Sequence, residues 1–243
     1  MKAFLNKLLR LSSVILLLSP IACKREIPTM DYIAVQDLDY RWGFISPTGE
    51  EKTAFLYDNA HNPKENLAAV RDTLGNWGFI DANGATRVAF EYAEVDDFSE
   101  GLAAVRRYAG WGYVNQKGEE VIPCDLKRAR PFREGLAAVA DTSWNWGFMD
   151  PSGTFVMPCI YLYCGDFHDG RAVVKNYESK YGMVDPTGHT VLPFEYDYLD
   201  PASEGLISAK KDGKWGYINP QGKWLSTLFM KPLFRSGKGS DVS

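Results

Sequence analysis

A single element recurs along this chain at a nearly fixed interval, and it constrains the fold more than anything else in the sequence. Trp-Gly followed by an aromatic residue stands at Trp42-Gly43-Phe44, Trp77-Gly78-Phe79, Trp111-Gly112-Tyr113, Trp146-Gly147-Phe148 and Trp215-Gly216-Tyr217, with Tyr181-Gly182-Met183 in the remaining slot. The intervals are 35, 34, 35, 35 and 34 residues. A second landmark keeps the same register: Glu65-Asn66-Leu67-Ala68-Ala69-Val70, Glu100-Gly101-Leu102-Ala103-Ala104-Val105 and Glu134-Gly135-Leu136-Ala137-Ala138-Val139, continued at Asp169-Gly170 and Glu204-Gly205. A third is the turn after each Trp-Gly: Pro47-Thr48-Gly49, Ala82-Asn83-Gly84, Gln116-Lys117-Gly118, Pro151-Ser152-Gly153, Pro186-Thr187-Gly188 and Pro220-Gln221-Gly222. Self-similarity at such a period means a repeat architecture whose units bury their faces on one another.

Each unit reads as β-structure. Trp-Gly-Phe-Ile is a short aromatic and β-branched run, and the turn after it has the chemistry of a tight reversal, with glycine supplying a positive φ. A second run such as Thr190-Val191-Leu192-Pro193-Phe194 follows, and Leu-Ala-Ala-Val makes a third. Gly or Pro interrupts every 8 to 12 residues, and no helix-length periodicity survives. The expectation is an all-β fold of six tandem units, each with three strands, over residues 31–230. Propeller blades usually take about 40–45 residues for four strands. An open or superhelical array is therefore favoured over a six-bladed β-propeller. A compact body of this size would have a radius of gyration near ~17 Å, and an open array a larger one.

These landmarks resemble the WG-repeat (KWG) proteins of bacterial envelopes and secretions. The resemblance spans roughly residues 31–229, with local departures at Tyr181, at Arg171 and in the first unit, which lacks a clear Glu-Gly. It implies a repeat scaffold used for interaction and no conserved reaction.

The first 22 residues read as a targeting segment. Lys2, Lys7 and Arg10 precede the apolar run Leu11 to Leu18, too short to span a bilayer as a mature helix. Ala22-Cys23 after it resembles a lipoprotein lipobox, which implies lipidation at Cys23 and a linker over residues 23–30; Pro20 and Ile21 depart from the usual pattern. An ordinary secretory signal is the alternative. Loss of three cations and no acid takes the formal charge from −4 to about −7. Membrane attachment then rests on lipid rather than on a polybasic patch, and nucleic acid is not a partner. Residues 231–243 read as a flexible tail.

Residues repeated in every unit are explained by the fold before they suggest chemistry. The tryptophans and the aromatics two positions on share a strand face and form an aromatic spine between units; exposed sugar platforms are the alternative. Glu100, Glu134, Asp169 and Glu204 occupy one repeated position, whereas paired catalytic carboxylates need two different environments. His61, His168 and His189 stand apart, outside metal-ligand spacing, and read as surface loop residues. No nucleophile motif or phosphate-binding loop is present. The expectation is a protein without catalytic, metal or cofactor sites.

Candidate binding residues come from the unit that breaks the pattern. Lys127, Arg128 and Arg130, with Arg133, form a cationic loop where other units carry Glu94, Asp96 and Asp97, or Asp197 and Asp200. Tyr161 and Tyr163 occupy the matching loop of the next unit. Such a loop suits an acidic partner, or it pairs with its acidic neighbours. Cys124 and Cys159 lie at equivalent positions of adjacent units and would bridge if close enough; two buried thiols, or a Cys159–Cys164 loop, are the alternatives. The functional expectation is an envelope lipoprotein whose scaffold binds another protein, with a carbohydrate-binding module as the alternative.

Overall fold

The computed structural model describes residues 32–228. The leader, Cys23 and the tail expected from sequence lie outside the described residues. Within them there is no helix, and 23 strands form six antiparallel sheets in chain order. The first has three strands, β1 (Ile33–Gln36), β2 (Trp42–Ile45) and β3 (Glu51–Tyr57). The second has four: β4 (Asn59–Ala60), β5 (Ala68–Arg71), β6 (Trp77–Ile80) and β7 (Thr86–Tyr92). Its plan is repeated by β8 (Glu94–Val95), β9 (Leu102–Arg106), β10 (Trp111–Asn115) and β11 (Glu120–Leu126), and by β12 (Arg128–Ala129), β13 (Ala137–Ala140), β14 (Trp146–Met149) and β15 (Phe155–Tyr161). The last two sheets are β16 (Tyr163–Cys164), β17 (Ala172–Lys175), β18 (Tyr181–Val184) and β19 (Thr190–Tyr196), then β20 (Tyr198–Leu199), β21 (Ile207–Lys211), β22 (Lys214–Ile218) and β23 (Trp224–Leu228).

Four strands rather than three in five of the six units is a correction to the sequence expectation. The additional strand is only two residues long, which is how four strands fit into 35 residues. One residue links each seven-residue strand to the next sheet, and its N–H is taken up there: Ala93 donates to Arg106 O at 2.9 Å and Lys127 to Ala140 O at 3.0 Å. Arg128 and Ala129, expected in a loop, are therefore strand.

Glycine of Trp-Gly is required by the neighbouring strand. The outer partner of every Trp-Gly strand is bulged. A Cβ on Gly112 would sit 2.4 Å from Ile122 O, and one on Gly147 2.6 Å from Met157 O. The Glu-Gly landmark is a two-residue hairpin turn. Glu100 (φ 55) and Gly101 (φ 83) are both left-handed, as the reciprocal Ser99–Leu102 hydrogen bonds of 2.9 and 3.2 Å require.

The sheets stack face to face, and the core consists of five layers between consecutive sheets. Leu102, Ala104, Tyr113 and Ile122 face Ala129, Phe132, Ala137, Val139 and Met149 of the next sheet. Ala103, Val105 and Val114 face the preceding one. Leu-Ala-Ala-Val is thus buried on both faces, which explains a continuous run of small apolar residues in an antiparallel strand.

Aromatic contacts between sheets pair Phe79 with Phe98, Tyr113 with Phe132 and Phe148 with Phe167, at 4.7–4.8 Å between ring centroids. Of the spine expected from the tryptophans and the aromatics two residues on, the aromatics make these contacts between sheets, each with a loop phenylalanine. The tryptophans share that strand face but stand at its margin, half-buried except for Trp111.

The last sheet leaves its outward face uncovered among the described residues. Tyr217 is 41% exposed where Phe79, Tyr113 and Phe148 are fully buried, and Ser208 and Ser226 replace apolar residues there. A more polar outer face is what a terminal repeat needs. Among the described residues the array is open at this end, as favoured over a closed ring. Along the side of the stack, the seven-residue strands carry Pro123, Pro158 and Pro193, which blunt exposed sheet edges.

Candidate functional site

The two-residue strands of successive sheets form one edge of the stack. Their first residues, Asn59, Glu94, Arg128, Tyr163 and Tyr198, lie at the surface opposite the last residue of the Leu-Ala-Ala-Val strand, as in Asn59↔Arg71, Glu94↔Arg106 and Tyr163↔Lys175. That last residue in turn faces the tryptophan position, as in Arg71↔Trp77, Arg106↔Trp111 and Lys175↔Tyr181. Cations and aromatic rings are thereby set side by side in the second, third, fifth and sixth units, whereas the first has Gln36 opposite Trp42. Lys175 Nζ lies 5.2 Å from the Tyr181 ring centre and Lys210 Nζ 5.7 Å from that of Trp215.

The fourth unit changes the pattern. Ala140 replaces the cation, and its strand partner is Arg128. The Arg128 guanidinium lies over Trp111 at 4.7 Å, with Glu94 at 3.9 Å. Arg130 sits between Trp146 (5.4 Å) and Tyr163 (5.3 Å), with Asp166 Oδ1 at 3.5 Å. Tyr113 fixes the backbone beneath by donating its hydroxyl to Arg130 O at 2.6 Å.

Of the candidates read from sequence, Arg128, Arg130 and Tyr163 are thus brought together. Lys127 is exposed on the adjoining link residue. Arg133 is exposed in the Glu-Gly turn, and Tyr161 stacks on Phe194 at 6.2 Å on the far strand, so neither joins the cluster. Sequence reasoning missed Lys175, Lys210 and Tyr198. The cation that closes most Leu-Ala-Ala-Val strands was the available signal.

Acidic groups flank this ladder. Burial pushes the Asp96 carboxyl above its usual range, against the pull of Arg128. His61, expected on an open loop, is half-buried against Trp77 at 5.0 Å. Its Nδ1 is 2.8 Å from Asp97, a hydrogen bond that raises the imidazole pKa. Further along, a cleft of about 280 Å³ is lined by Tyr163, Val173, Tyr181, Tyr198, Asp200 and Pro201. The Tyr198 hydroxyl donates to Asp200 at 2.8 Å, which with burial pushes it up to about 12.

The repeated acids have a different role. Glu100 accepts from the N–H groups of Glu134 and Gly135, and Glu134 from those of Asp169 and Gly170, so each carboxylate clamps the following turn. Glu134, His168 and Asp169 place three ligand atoms within 4.8 Å of one another, all exposed, but the Glu134 oxygens are already engaged in this clamp.

Cys124, Cys159 and Cys164 are free thiols, so the Cys124–Cys159 bridge weighed from sequence is absent. Cys124 Sγ points to Val105 O within its own sheet at 3.8 Å rather than toward the next sheet.

Residues 42–72, 77–108, 111–140, 146–180, 181–215 and 215–228 match the model of the WG containing repeat. The stack is a β-repeat scaffold, and the chain belongs to the WG-repeat family. No curated protein matches it in sequence. Among solved structures, the computationally designed Ika8 protein aligns with a TM-score of 0.51 at 12% identity, over 82% of this chain and 71% of that one. BamB from Moraxella catarrhalis aligns at 0.43 and 17% identity, over 67% and 58%. The WD40 β-propeller domain of Doa1 gives 0.38 and 10%, over 82% and 79%. The Ika8 likeness speaks to the fold alone.

Proposed function

We propose that this scaffold is a non-catalytic binding protein, held at a bacterial envelope membrane by a lipid on Cys23, that docks a partner protein along the short-strand edge. The carrying observation is the placement of Arg128 and Arg130 over Trp111, Trp146 and Tyr163. Arginine, tryptophan and tyrosine are the side chains that dominate protein interfaces. The carboxylates near them, Glu94 at 3.9 Å and Asp166 at 3.5 Å, are loose partners that an incoming acidic segment can replace.

The test is affinity capture from a solubilised envelope extract, with wild-type bait and an Arg128→Glu, Arg130→Glu double variant compared by mass spectrometry. A stoichiometric protein held by the first and lost by the second is expected. Equal retention by both would remove this edge from the function. Cys23→Ser should release the protein from membrane fractions, and unchanged fractionation would end the anchor reading. A glycan ligand, the second reading, rests on the ring-rich edge; sugars would have to displace cations already lying on those rings.

A further inference from the structure

The hairpins between the Leu-Ala-Ala-Val and Trp-Gly strands all project from one end of the stack, opposite the Glu-Gly turns. Each of the first five carries a solvated apolar side chain at its tip: Leu38 (98% exposed), Leu74 (84%), Tyr108 (fully exposed), Trp144 (61%) and Tyr177 (60%), with Tyr40 beside the first. The sixth tip, Lys211 to Lys214, is polar. Tyr40 (φ 62) and Trp144 (φ 66) hold left-handed conformations at the place where the second unit has Gly75 (φ 88). A large ring is thus kept where glycine costs least. Leu162, on the link residue between Trp144 and Tyr177 in sequence, is exposed at the same end.

We infer that this row of hairpin tips is a lipid-facing surface, inserted into the interfacial layer of a bilayer. Stacked sheets lie about 10 Å apart, so the tips form a line of anchors rather than one contiguous patch, with Tyr177 alone reaching its neighbour by donating its hydroxyl to Asn145 of the preceding hairpin. A protein hot spot needs a packed, desolvated centre, which separated tips do not supply. A fluid bilayer asks only that the side chains reach a common plane and be of the Trp, Tyr and Leu types that favour the membrane interface. Most basic groups behind the tips are paired within the chain: Arg41 with Asp58, Arg107 with Glu91 and Glu120, and Lys180 with Asp197. The exposed Lys127 is offset by the exposed tip acids Asp39 and Glu178. Binding is accordingly apolar in origin, indifferent to anionic lipid and to salt. It is independent of the lipid expected at Cys23 and of the protein-binding edge.

The experiment is flotation with phosphatidylcholine vesicles, alone and mixed with phosphatidylglycerol, at low and high salt. The chain is used from residue 24 onward, so that no acyl group contributes; every described strand lies between Ile33 and Leu228. Wild type should float with both vesicle types at both salt levels. Leu74→Ser, Tyr108→Ser, Trp144→Ser and Tyr177→Ser combined should lower partitioning by about tenfold or more, since affinity follows buried apolar area. Val121→Ser, Phe155→Ser and Val156→Ser, which remove exposed apolar groups near the opposite turns, should leave it unchanged, as should Arg128→Glu with Arg130→Glu. Circular dichroism checks that each variant is folded. Absence of flotation, flotation only with anionic lipid, or equal loss in the tip and control variants would each overturn the inference. So would capture of a protein or glycan by the tips without vesicle binding.

Discussion

Both carboxylate oxygens of Glu100 accept backbone N–H groups of the following repeat, Oε1 from Glu134 at 2.6 Å and Oε2 from Gly135 at 2.8 Å. Glu134 does the same for Asp169 and Gly170 at 2.8 and 2.9 Å, and Glu65 reaches Gly101 at 2.9 Å. Asp169 is one methylene shorter. Charge-assisted bonds to exposed backbone contribute modestly, so Glu100→Ala should destabilise by about 1–2 kcal/mol. Asp169→Glu should extend the clamp to the Glu204-Gly205 turn and stabilise by up to about 1 kcal/mol. Urea unfolding of both variants measures this, and a neutral Glu100→Ala would reduce the clamp to ornament.

Two kinds of glycine recur, and they should fail differently. Gly135 (φ 79) has open space where a Cβ would stand, so Gly135→Ala meets only backbone strain, about 1–2 kcal/mol. Gly112→Ala would drive a Cβ to 2.4 Å from a carbonyl oxygen in a bulged strand that cannot retreat without breaking its ladder. A loss of about 3 kcal/mol or more, or failure to fold, is expected there. Comparable losses at the two sites in denaturant titrations would contradict this account.

His61 makes stability depend on pH. Its folded pKa is raised above 6.5, first by the Asp97 hydrogen bond and further by the Asp97 and Asp96 charges, against desolvation. The contribution is therefore complete below about 6.5, the unfolded value, and lost as pH rises through the raised folded value. With the pair part-exposed, its size is about 1 kcal/mol at most. Stability measured from pH 5.5 to 8.5 should fall in wild type relative to His61→Gln, and parallel curves would exclude the pair as the cause.

Much of this was legible in the sequence because repetition turns each landmark into several observations. Trp-Gly, Glu-Gly and the turn after Trp-Gly gave the unit, its strands and its hairpins. What escaped had no periodic trace. A two-residue strand such as Arg128–Ala129 is shorter than one alternation, and it is recognised only by its partners Ala140 and Val139. The ladder was half visible: the cationic break at Arg128 and Arg130 stood out, but the rings beneath it depend on which sheet edge is shared. Tyr161 and Arg133 looked equivalent to their neighbours in sequence because linear proximity does not separate the two strand edges or the two ends of the stack. The tip row escaped because Leu38, Leu74, Tyr108, Trp144 and Tyr177 keep neither one residue type nor one register position, only a place.

The three thiols give the most direct test of the packing in the middle sheets. Burial, as the largest cause, raises all three: Cys124 above its ordinary value, Cys159 to about 11, and the fully buried Cys164 further still. Only the thiolate attacks an alkylating reagent, and a thiol at about 11 is ionised to roughly one part in a thousand at pH 8. In the folded protein at pH 8, iodoacetamide should label Cys124 and Cys159 far more slowly than a free peptide cysteine, and Cys164 not at all until the chain unfolds. Raising the pH toward 10 should speed Cys159 by about tenfold for each unit. The intact mass of the chain from residue 24 onward, taken without reductant, should be that of three thiols. A mass two hydrogens lighter, with Cys124 and Cys159 both unreactive after unfolding, would mean that these equivalent positions of adjacent sheets join across the stack and that the Cys124 contact to Val105 is not its resting state.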